Sequence, residues 1–336
     1  MAESPLQPLW VVTGASGFLG NNLVRTLVSQ GQKVRAAVVE DTVPPSLEGL
    51  GVEVVQIDVR ELSSLEEAFK GTAQCETWVV HCAGIVTIAD TVSAKVRQTN
   101  VAGVANVLKA CTAASIARLV YVSSIHALAP IEGVSSEKDC PEDYDPATVR
   151  GGYPKSKAEA TRLVLEDNEL WRVVVLPTGI IGPRDYSDTN LTRMVRDAAS
   201  GALPISVEGG YDFVDVRDVA LGVIAAARNG VNGRTYILSG TYVPAAKMVE
   251  AVASAKGRPR PLRLPSAFVR LFTPLARLVA KIRRTEPIVT ETSLAVLDEP
   301  GKFTSSRARQ ELGYSTRPFR DTLRDTLEWV DTQGSK

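Results

Sequence analysis

The run at residues 9–20, reading Leu-Trp-Val-Val-Thr-Gly-Ala-Ser-Gly-Phe-Leu-Gly, constrains this chain more than any other. It joins a short apolar strand to a glycine-spaced turn and then to a helical pattern, the opening of a βαβ nucleotide-binding unit. Gly14 allows the tight turn and Gly17 lets the backbone approach a pyrophosphate. Gly20 lets the helix pack close to the strand, so phosphates can sit on a helix N-terminus. The spacing is Gly-x-x-Gly-x-x-Gly rather than Gly-x-Gly-x-x-Gly, and a glycine triplet alone is also compatible with an ordinary turn. The strand before it and the amphipathic segment 21–29 after it supply the context that the nucleotide reading requires.

Further apolar, β-branched runs at residues 33–39, 52–57, 77–82, 118–123 and 171–177 alternate with helical patterns at 61–70, 92–115 and 153–167. Strands alternating with helices predict an α/β fold, a Rossmann-type doubly wound parallel sheet. The alternation stops at Gly182-Pro183 and the polar stretch 185–190. Residues 213–229 then read as a strand end running into a helix and 234–238 as one more strand. The chain from Gly240 onward is mostly helical in pattern, interrupted at Pro259, Pro261, Pro265 and Pro274. The expected division is a dinucleotide-binding domain of residues 1–177 and 210–240 and a smaller, mostly helical substrate domain of residues 178–209 and 241–336.

Lys+Arg and Asp+Glu both number 38, so no net field favours nucleic acid or an anionic membrane. A small-molecule substrate is the expected partner. Residues 268–284 are apolar with five basic residues, too short and too charged to span a bilayer. They read as a helix whose apolar face lines the core or the substrate pocket, with a membrane-surface helix as the alternative. Cys75, Cys82, Cys111 and Cys140 offer no Cys-x-x-Cys pair and no histidine spacing suited to zinc. No metal is expected, and the cysteines read as buried thiols in a reducing compartment. The N-terminus shows no basic region followed by a long apolar one, so no signal peptide is read and the expected location is the cytoplasm.

Tyr153 and Lys157 stand four apart at the start of a helical pattern entered through Pro154, which puts both side chains on one face. An ammonium close to a phenol favours the phenolate and lowers its pKa toward the working pH, as a proton-transfer residue needs. Such a pair also arises as a solvated surface pair. Ser123 and Ser124 end the fifth expected strand, at the carboxyl edge where open α/β sheets bind ligands, and a hydroxyl there can hydrogen-bond a substrate oxygen.

Taken together these elements resemble the extended short-chain dehydrogenases/reductases, the NAD-dependent epimerase/dehydratase superfamily, over essentially the whole chain. The matching motifs are Thr13-Gly-Ala-Ser-Gly-Phe-Leu-Gly20, Asp58-Val59, His81-Cys-Ala-Gly84, Thr99-Asn100-Val101-Ala-Gly103, Val122-Ser-Ser124, Tyr153-Pro-Lys-Ser-Lys157, Leu176-Pro-Thr-Gly-Ile-Ile-Gly-Pro183 and Phe213-Val-Asp-Val-Arg-Asp-Val-Ala220. The set is most similar to the dihydroflavonol reductase and 3β-hydroxysteroid dehydrogenase branch. The resemblance implies that Ser124 positions the substrate oxygen, Tyr153 is the general acid/base and Lys157 holds the nicotinamide ribose. It implies cofactor contacts at Gly14, Ser16, Gly17, Phe18, Leu19 and Gly20, with Asp58 on the adenine amino group and Ala83 against the adenosine. Val59, Gly84, Asn100, Pro177, Thr178 and Ile180 complete that set. Ser123 and His126 are the further candidates for touching substrate, whereas His81 reads as structural. The long helices at 92–115 and 153–167, where family dimers pair, leave room for a homodimer.

The expected reaction interconverts a ketone and a secondary alcohol on a bulky, largely apolar substrate, steroid- or flavonoid-like. The apolar positions Leu262, Leu264, Phe268, Leu271, Phe272, Leu275 and Leu278 recur at near-helical spacing in the substrate part. The alternative is a nucleotide-sugar epimerase or dehydratase with tightly bound NAD. Dehydratases of the family carry Asp-Glu where this chain has Ile125-His126, and epimerases usually carry Asn where it has Thr178. A cofactor-sensing protein with a dead site would have lost the Tyr and Lys kept here. NAD is the expected cofactor, with NADP left open: residues 38–59 contain no Lys or Arg, while Glu40 and Asp41 stand where a 2′-phosphate would be repelled. Arg35 and Arg60 are the nearest cations.

Overall fold

A computed structural model describes residues 7–87, 92–129, 144–265 and 302–334. Seven strands make one sheet: β1 (Leu9–Thr13), β2 (Lys33–Val38), β3 (Glu53–Gln56), β4 (Thr77–His81), β5 (Arg118–Val122), β6 (Arg172–Pro177) and β10 (Thr235–Leu238). Their order is β10-β6-β5-β4-β1-β2-β3, and every neighbouring pair is parallel. The strands are apolar on both faces, as they must be when helices cover a sheet on each side. Along β5, Val120 and Val122 enter one core while Leu119 and Tyr121 enter the other.

The first core is closed by α1 (Phe18–Ser29), α7 (Val216–Asn229) and the helix Ser306–Leu312. The second is closed by α2 (Leu62–Ala68), α4 (Gly103–Ala113) and α5 (Gly152–Glu166). Strand order reverses at β1, with β2 on one side and β4 on the other. A ligand crevice therefore lies above the carboxyl ends of β1 and β4.

The long helix expected over residues 92–115 is one helical path with an inserted wider turn. α3 (Ala94–Arg97) passes into α4 through a π-helical stretch, Gln98–Ala102. Asn100 lies in that stretch. Its Oδ1 accepts from the Ile85 N–H at 2.8 Å, and its Nδ2 donates to the Ile85 carbonyl at 3.0 Å and to Ser156 Oγ at 3.2 Å. The wider turn aims one side chain at the loop after β4 and at α5, a common use of such turns near functional sites.

A smaller sheet is formed by β7 (Gly179–Ile181), β9 (Gly210–Asp215) and β11 (Thr241–Pro244), with β9 parallel to β7 and antiparallel to β11. β8 (Ile205–Val207) pairs with β12 (Leu262–Leu264). α6 (Asn190–Ser200), α8 (Ala245–Ala255) and the helix Phe319–Gly334 surround a third core that includes Ile181, Val195, Phe213, Met248 and Leu327. Within the run 213–229 the chain changes layers at Asp215, since β9 belongs to the smaller sheet and α7 covers the large one.

The described chain after Gly240 is mostly helical, as expected, with the two short strands β11 and β12 besides. Two expectations are corrected. Leu262 and Leu264, expected on a helical stripe, lie in β12, with Leu262 exposed; the rest of that stripe, the helix expected at 268–284 and Cys140 lie outside the described residues. Cys75, expected to be buried, is exposed in the turn before β4, whereas Cys111 is buried and Cys82 half-buried. Among the described residues no helix is long and apolar enough to cross a membrane.

Asp215 ties the layers together. Its fully buried carboxylate accepts from the Arg217 N–H at the start of α7, at 2.8 Å, and pairs with the Arg217 guanidinium at 2.7 Å. Arg217 also reaches Asp325 of the last helix at 2.7 Å, and Arg317 bridges Asp218 at 2.7 Å and Asp215 at 3.6 Å. Removing one partner of a buried pair leaves a charge without compensation. Arg217→Met should therefore lower the unfolding free energy by about 3 kcal/mol in urea titration. A loss under about 0.5 kcal/mol, the size of an ordinary surface substitution, would show that Arg317 alone satisfies Asp215.

Candidate active site

The turn after β1 is shaped by close approach. Gly14 has φ +68°, and a Cβ there would lie 2.7 Å from the Ala83 Cα, so the β1 turn and the β4 end touch backbone to backbone. A Cβ on Gly20 would come 2.1 Å from the Gly14 carbonyl oxygen. The need for glycine at position 20 thus comes from the turn itself, not from the strand as expected. Gly17 caps α1 in extended backbone with no side chain over the helix end, and the first turn holds no acidic residue. The free N–H groups there, with Phe18 and Leu19 following, form a cradle that fits a pyrophosphate.

Ser16 Oγ donates to Glu40 Oε2 at 3.1 Å, and Ser46 Oγ donates to the Ser16 carbonyl at 3.1 Å. Glu40 is therefore held beside the glycine turn, at the end of β2 where a ribose would lie. Neither cation named from sequence is free to face it. Arg35 pairs with Glu53 at 2.9 Å and donates to the Ala68 carbonyl at 2.7 Å, against the C-terminal end of α2. Arg60 wraps Asp58, with Nε at 2.9 Å and 3.0 Å from the two carboxylate oxygens. These hydrogen bonds hold the Asp58 carboxyl below its usual range. The sequence reading placed Asp58 on the adenine without seeing that Arg60 shares it.

His81 is buried at the end of β4, its Nδ1 2.6 Å from Thr13 Oγ1. Burial, with a smaller push from Lys157, drives its pKa down to about 3, so the imidazole is neutral. It ties β1 to β4. Val59 is buried against Gly103, and Gly84 faces Asn100 and Lys157, where a Cβ would lie 3.4 Å and 3.7 Å from their polar atoms. Pro177 ends β6, Thr178 is buried at the passage to the smaller sheet, its N–H donating to the Leu238 carbonyl at 3.3 Å, and Ile180 lies in β7.

Ser124, Tyr153 and Lys157 come together at the carboxyl end of β5, each less than 8% exposed. Tyr153 stands in the first turn of α5, a helix start that requires Gly152 because a Cβ there would meet Val92 at 2.1 Å. Ser124 lies beside the Tyr153 phenol, and its Oγ accepts from the His126 N–H at 3.2 Å. Lys157 Nζ donates to the Val122 carbonyl at 2.9 Å and to the Tyr121 hydroxyl at 3.4 Å. Burial pushes the Tyr153 phenol up to about 12, partly offset by Ser124, and pushes Lys157 down to about 8. The expected lowering of the phenol by Lys157 is thus not found in the ligand-free chain: the ammonium turns to the strand, and burial penalises the phenolate.

Ser123 does not join the group. Its hydroxyl lies 2.5 Å from Thr161 Oγ1, inside the packing of β5 on α5. His126 does join it, its ring edge-on to Tyr153 at 6.2 Å between centroids. Two side chains were missed from the sequence. Tyr121 lies under Lys157, and Tyr211 of β9 meets His126 Nε2 at 2.7 Å. Tyr121 alternates with the strand's other apolar residues and carries no local mark, and Tyr211 becomes visible only once β9 is paired with β7.

The burial of Lys157 has a signed consequence. In the folded chain it keeps its proton only to about pH 8, against an ordinary value of 10.5, so between those values the folded state binds fewer protons than the unfolded one. Stability contributed by this group therefore rises with pH through that window, and the penalty is fully present below it. Urea melts of wild type and Lys157→Met should diverge in favour of wild type by up to about 3 kcal/mol between pH 8 and 10.5. A pH-independent difference would mean that Lys157 is solvated.

The sequence model of the NAD dependent epimerase/dehydratase family matches residues 10–239. "Sterol demethylase protein B" of Methylococcus capsulatus is 30% identical over 332 residues, covering 96% of this chain and 98% of that protein. "Putative dihydroflavonol 4-reductase" of Synechocystis is 28% identical over 340 residues, covering 96% and 94%. The crystal structure of gox2253 superposes with a TM-score of 0.83 at 29% identity, covering 98% of this chain and 99% of that one. A match that begins at the glycine turn and runs past α5 and α7, with relatives aligned from end to end, makes this chain an enzyme of the NAD-dependent epimerase/dehydratase family, the extended short-chain dehydrogenases/reductases.

Proposed function

We propose that this enzyme is an NAD-dependent oxidoreductase that interconverts a ketone and a secondary alcohol on a bulky, largely apolar substrate, steroid- or flavonoid-like. The observation that carries the reading is the convergence of Ser124, Tyr153 and Lys157, all buried at the carboxyl end of β5, where burial raises the Tyr153 phenol and keeps it protonated. A neutral phenol is a proton donor, the form that a ketone oxygen needs as it becomes an alkoxide. Ser124 Oγ accepts from the His126 N–H, which fixes the hydroxyl beside Tyr153, where its hydrogen can bond the same oxygen. Lys157, held by the Val122 carbonyl, is placed to bond the ribose hydroxyls and to return a proton to Tyr153. When bound, the nicotinamide supplies or accepts the hydride.

The substrate class is supported by the two relatives, whose names are a sterol demethylase protein and a dihydroflavonol reductase. The residues after Ser124 support the reaction class, since Ile125 is buried and His126 is held neutral by burial, at about pKa 4. Neither can replace the acid pair of a dehydratase. A screen of cyclic ketones with reduced cofactor, followed by its absorbance, should find turnover. Tyr153→Phe should cut it by about 10² or more, the scale of a lost general acid, with cofactor binding retained. A fully active Phe variant, or tight calorimetric binding of a UDP- or dTDP-sugar, would overturn this reading.

Glu40 supports NAD over NADP. Its carboxylate, fixed by Ser16, would repel a 2′-phosphate, and Arg35 and Arg60 are already paired with Glu53 and Asp58. Val39, next to it, is 64% exposed, so a longer side chain can be added there without disturbing the core. Val39→Arg should shift kcat/KM toward NADPH. A tenfold advantage for NADPH in the wild type, about 1.4 kcal/mol, would mean that one of the paired cations releases its partner to clamp the phosphate.

A further inference from the structure

We infer that Tyr211, held by His126, is a recognition residue that hydrogen-bonds a second, uncharged oxygen of the substrate, distinct from the one that meets Tyr153 and Ser124. The inference rests on the ketone/alcohol reading above and adds to it a demand on the substrate: it carries a hydroxyl or carbonyl elsewhere on its skeleton.

The imidazole of His126 stands between two phenols. It is edge-on to Tyr153, with centroids 6.2 Å apart, and near-parallel to Tyr211, at 5.9 Å and 22°. Its Nε2 lies 2.7 Å from the Tyr211 hydroxyl, while its backbone N–H fixes Ser124. The two residues come from different sheets, His126 from the turn after β5 and Tyr211 from β9. Both keep part of their surface open, unlike Ser124 and Tyr153, which are nearly closed off. Tyr211 is also shaped into place from behind. Its ring lies over Gly179, where a Cβ would come 2.4 Å from Cε1, so glycine at that position lets the phenol sit where it does.

The chemistry of the pair suits an uncharged oxygen. Burial keeps the imidazole neutral, so it presents one donor and one acceptor. If Nε2 accepts the Tyr211 proton, the phenol oxygen keeps lone pairs for a substrate hydroxyl. If Nε2 is the donor, the phenol can donate to a substrate carbonyl. A substrate oxygen that meets the pair gains a hydrogen bond that an analogue lacking it cannot make, and the site discriminates by that bond.

The test uses 2-decalone and a series of hydroxydecalones with the hydroxyl walked around the rings, assayed with NADH and NADPH. Wild type should favour at least one hydroxydecalone over 2-decalone by tenfold or more in kcat/KM. Tyr211→Phe and His126→Phe should each bring that ratio close to one, chiefly through a rise in KM for the favoured substrate. Gly179→Ala, which displaces the phenol without removing it, should do the same. Melting temperatures separate recognition from a mere tether between sheets. A tether would lower the melting temperature and reduce both substrates alike, and that result overturns the inference, as does a wild type with no preference or a Tyr211→Phe variant that keeps it. A wild type that reduces none of these ketones refutes the ketone reading itself, and this inference with it.

Discussion

The backbone contact between Gly14 and Ala83 is the constraint on which the rest depends. It brings the carboxyl ends of β1 and β4 together at the point where strand order reverses, and that is where a parallel sheet leaves a crevice. The position of α1 follows, because Gly20 lets the helix begin directly against the Gly14 carbonyl. Its uncapped N-terminus then opens into the crevice. A side chain at either glycine would push the turn off β4 and move the helix end, together with Glu40 and Ser46, which hydrogen bonds fasten to Ser16. Fold and candidate cofactor cradle are the same geometry at this point.

Ser124, Tyr153 and Lys157 converge on the neighbouring strand end, and the electrostatics of Tyr153 and Lys157 are set by burial. Tyr153 and Lys157 are four residues apart, as helix geometry requires for a shared face, yet each answers first to its desolvation. The phenol moves up and the amine down, and the carbonyl of Val122 and the hydroxyl of Tyr121 hold the amine. A spacing rule read from sequence gives proximity. It does not give the direction in which a Lys side chain folds, which here depends on the buried Val122 carbonyl at the end of β5.

What could be read from the sequence was local. The glycine turn, the alternation of strands and helices, and the Tyr-x-x-x-Lys pair each lie within one stretch, and their periodicity or spacing carries the physical reason. What could not be read was long-range. Tyr211 reaches His126 across 85 positions and only because β9 joins β7. Arg60 hides the Asp58 carboxylate through a rotamer that no pattern encodes. Ser123 and Ser124 are indistinguishable as letters, but strand alternation turns one hydroxyl toward Thr161 and leaves the other at Tyr153. The short strands β11 and β12 within the mostly helical part after Gly240 carry no local mark either, since they pair with β9 and β8, tens of positions earlier.

Burial leaves the candidate site with a conflict that a bound group can relieve. Lys157 is nearly buried with a carbonyl and a distant hydroxyl as its hydrogen-bond partners, and its proton is held less firmly than in water. Asp58 and Arg60 use each other, and His81 is kept neutral by enclosure. Burial of Lys157 and His81 disfavours their charged forms and costs stability, a cost that functional sites commonly tolerate, whereas the Asp58–Arg60 pair favours its charges. A ligand group that hydrogen-bonds the Lys157 ammonium would relieve part of that cost, so part of its binding free energy would come from a group already desolvated by the fold.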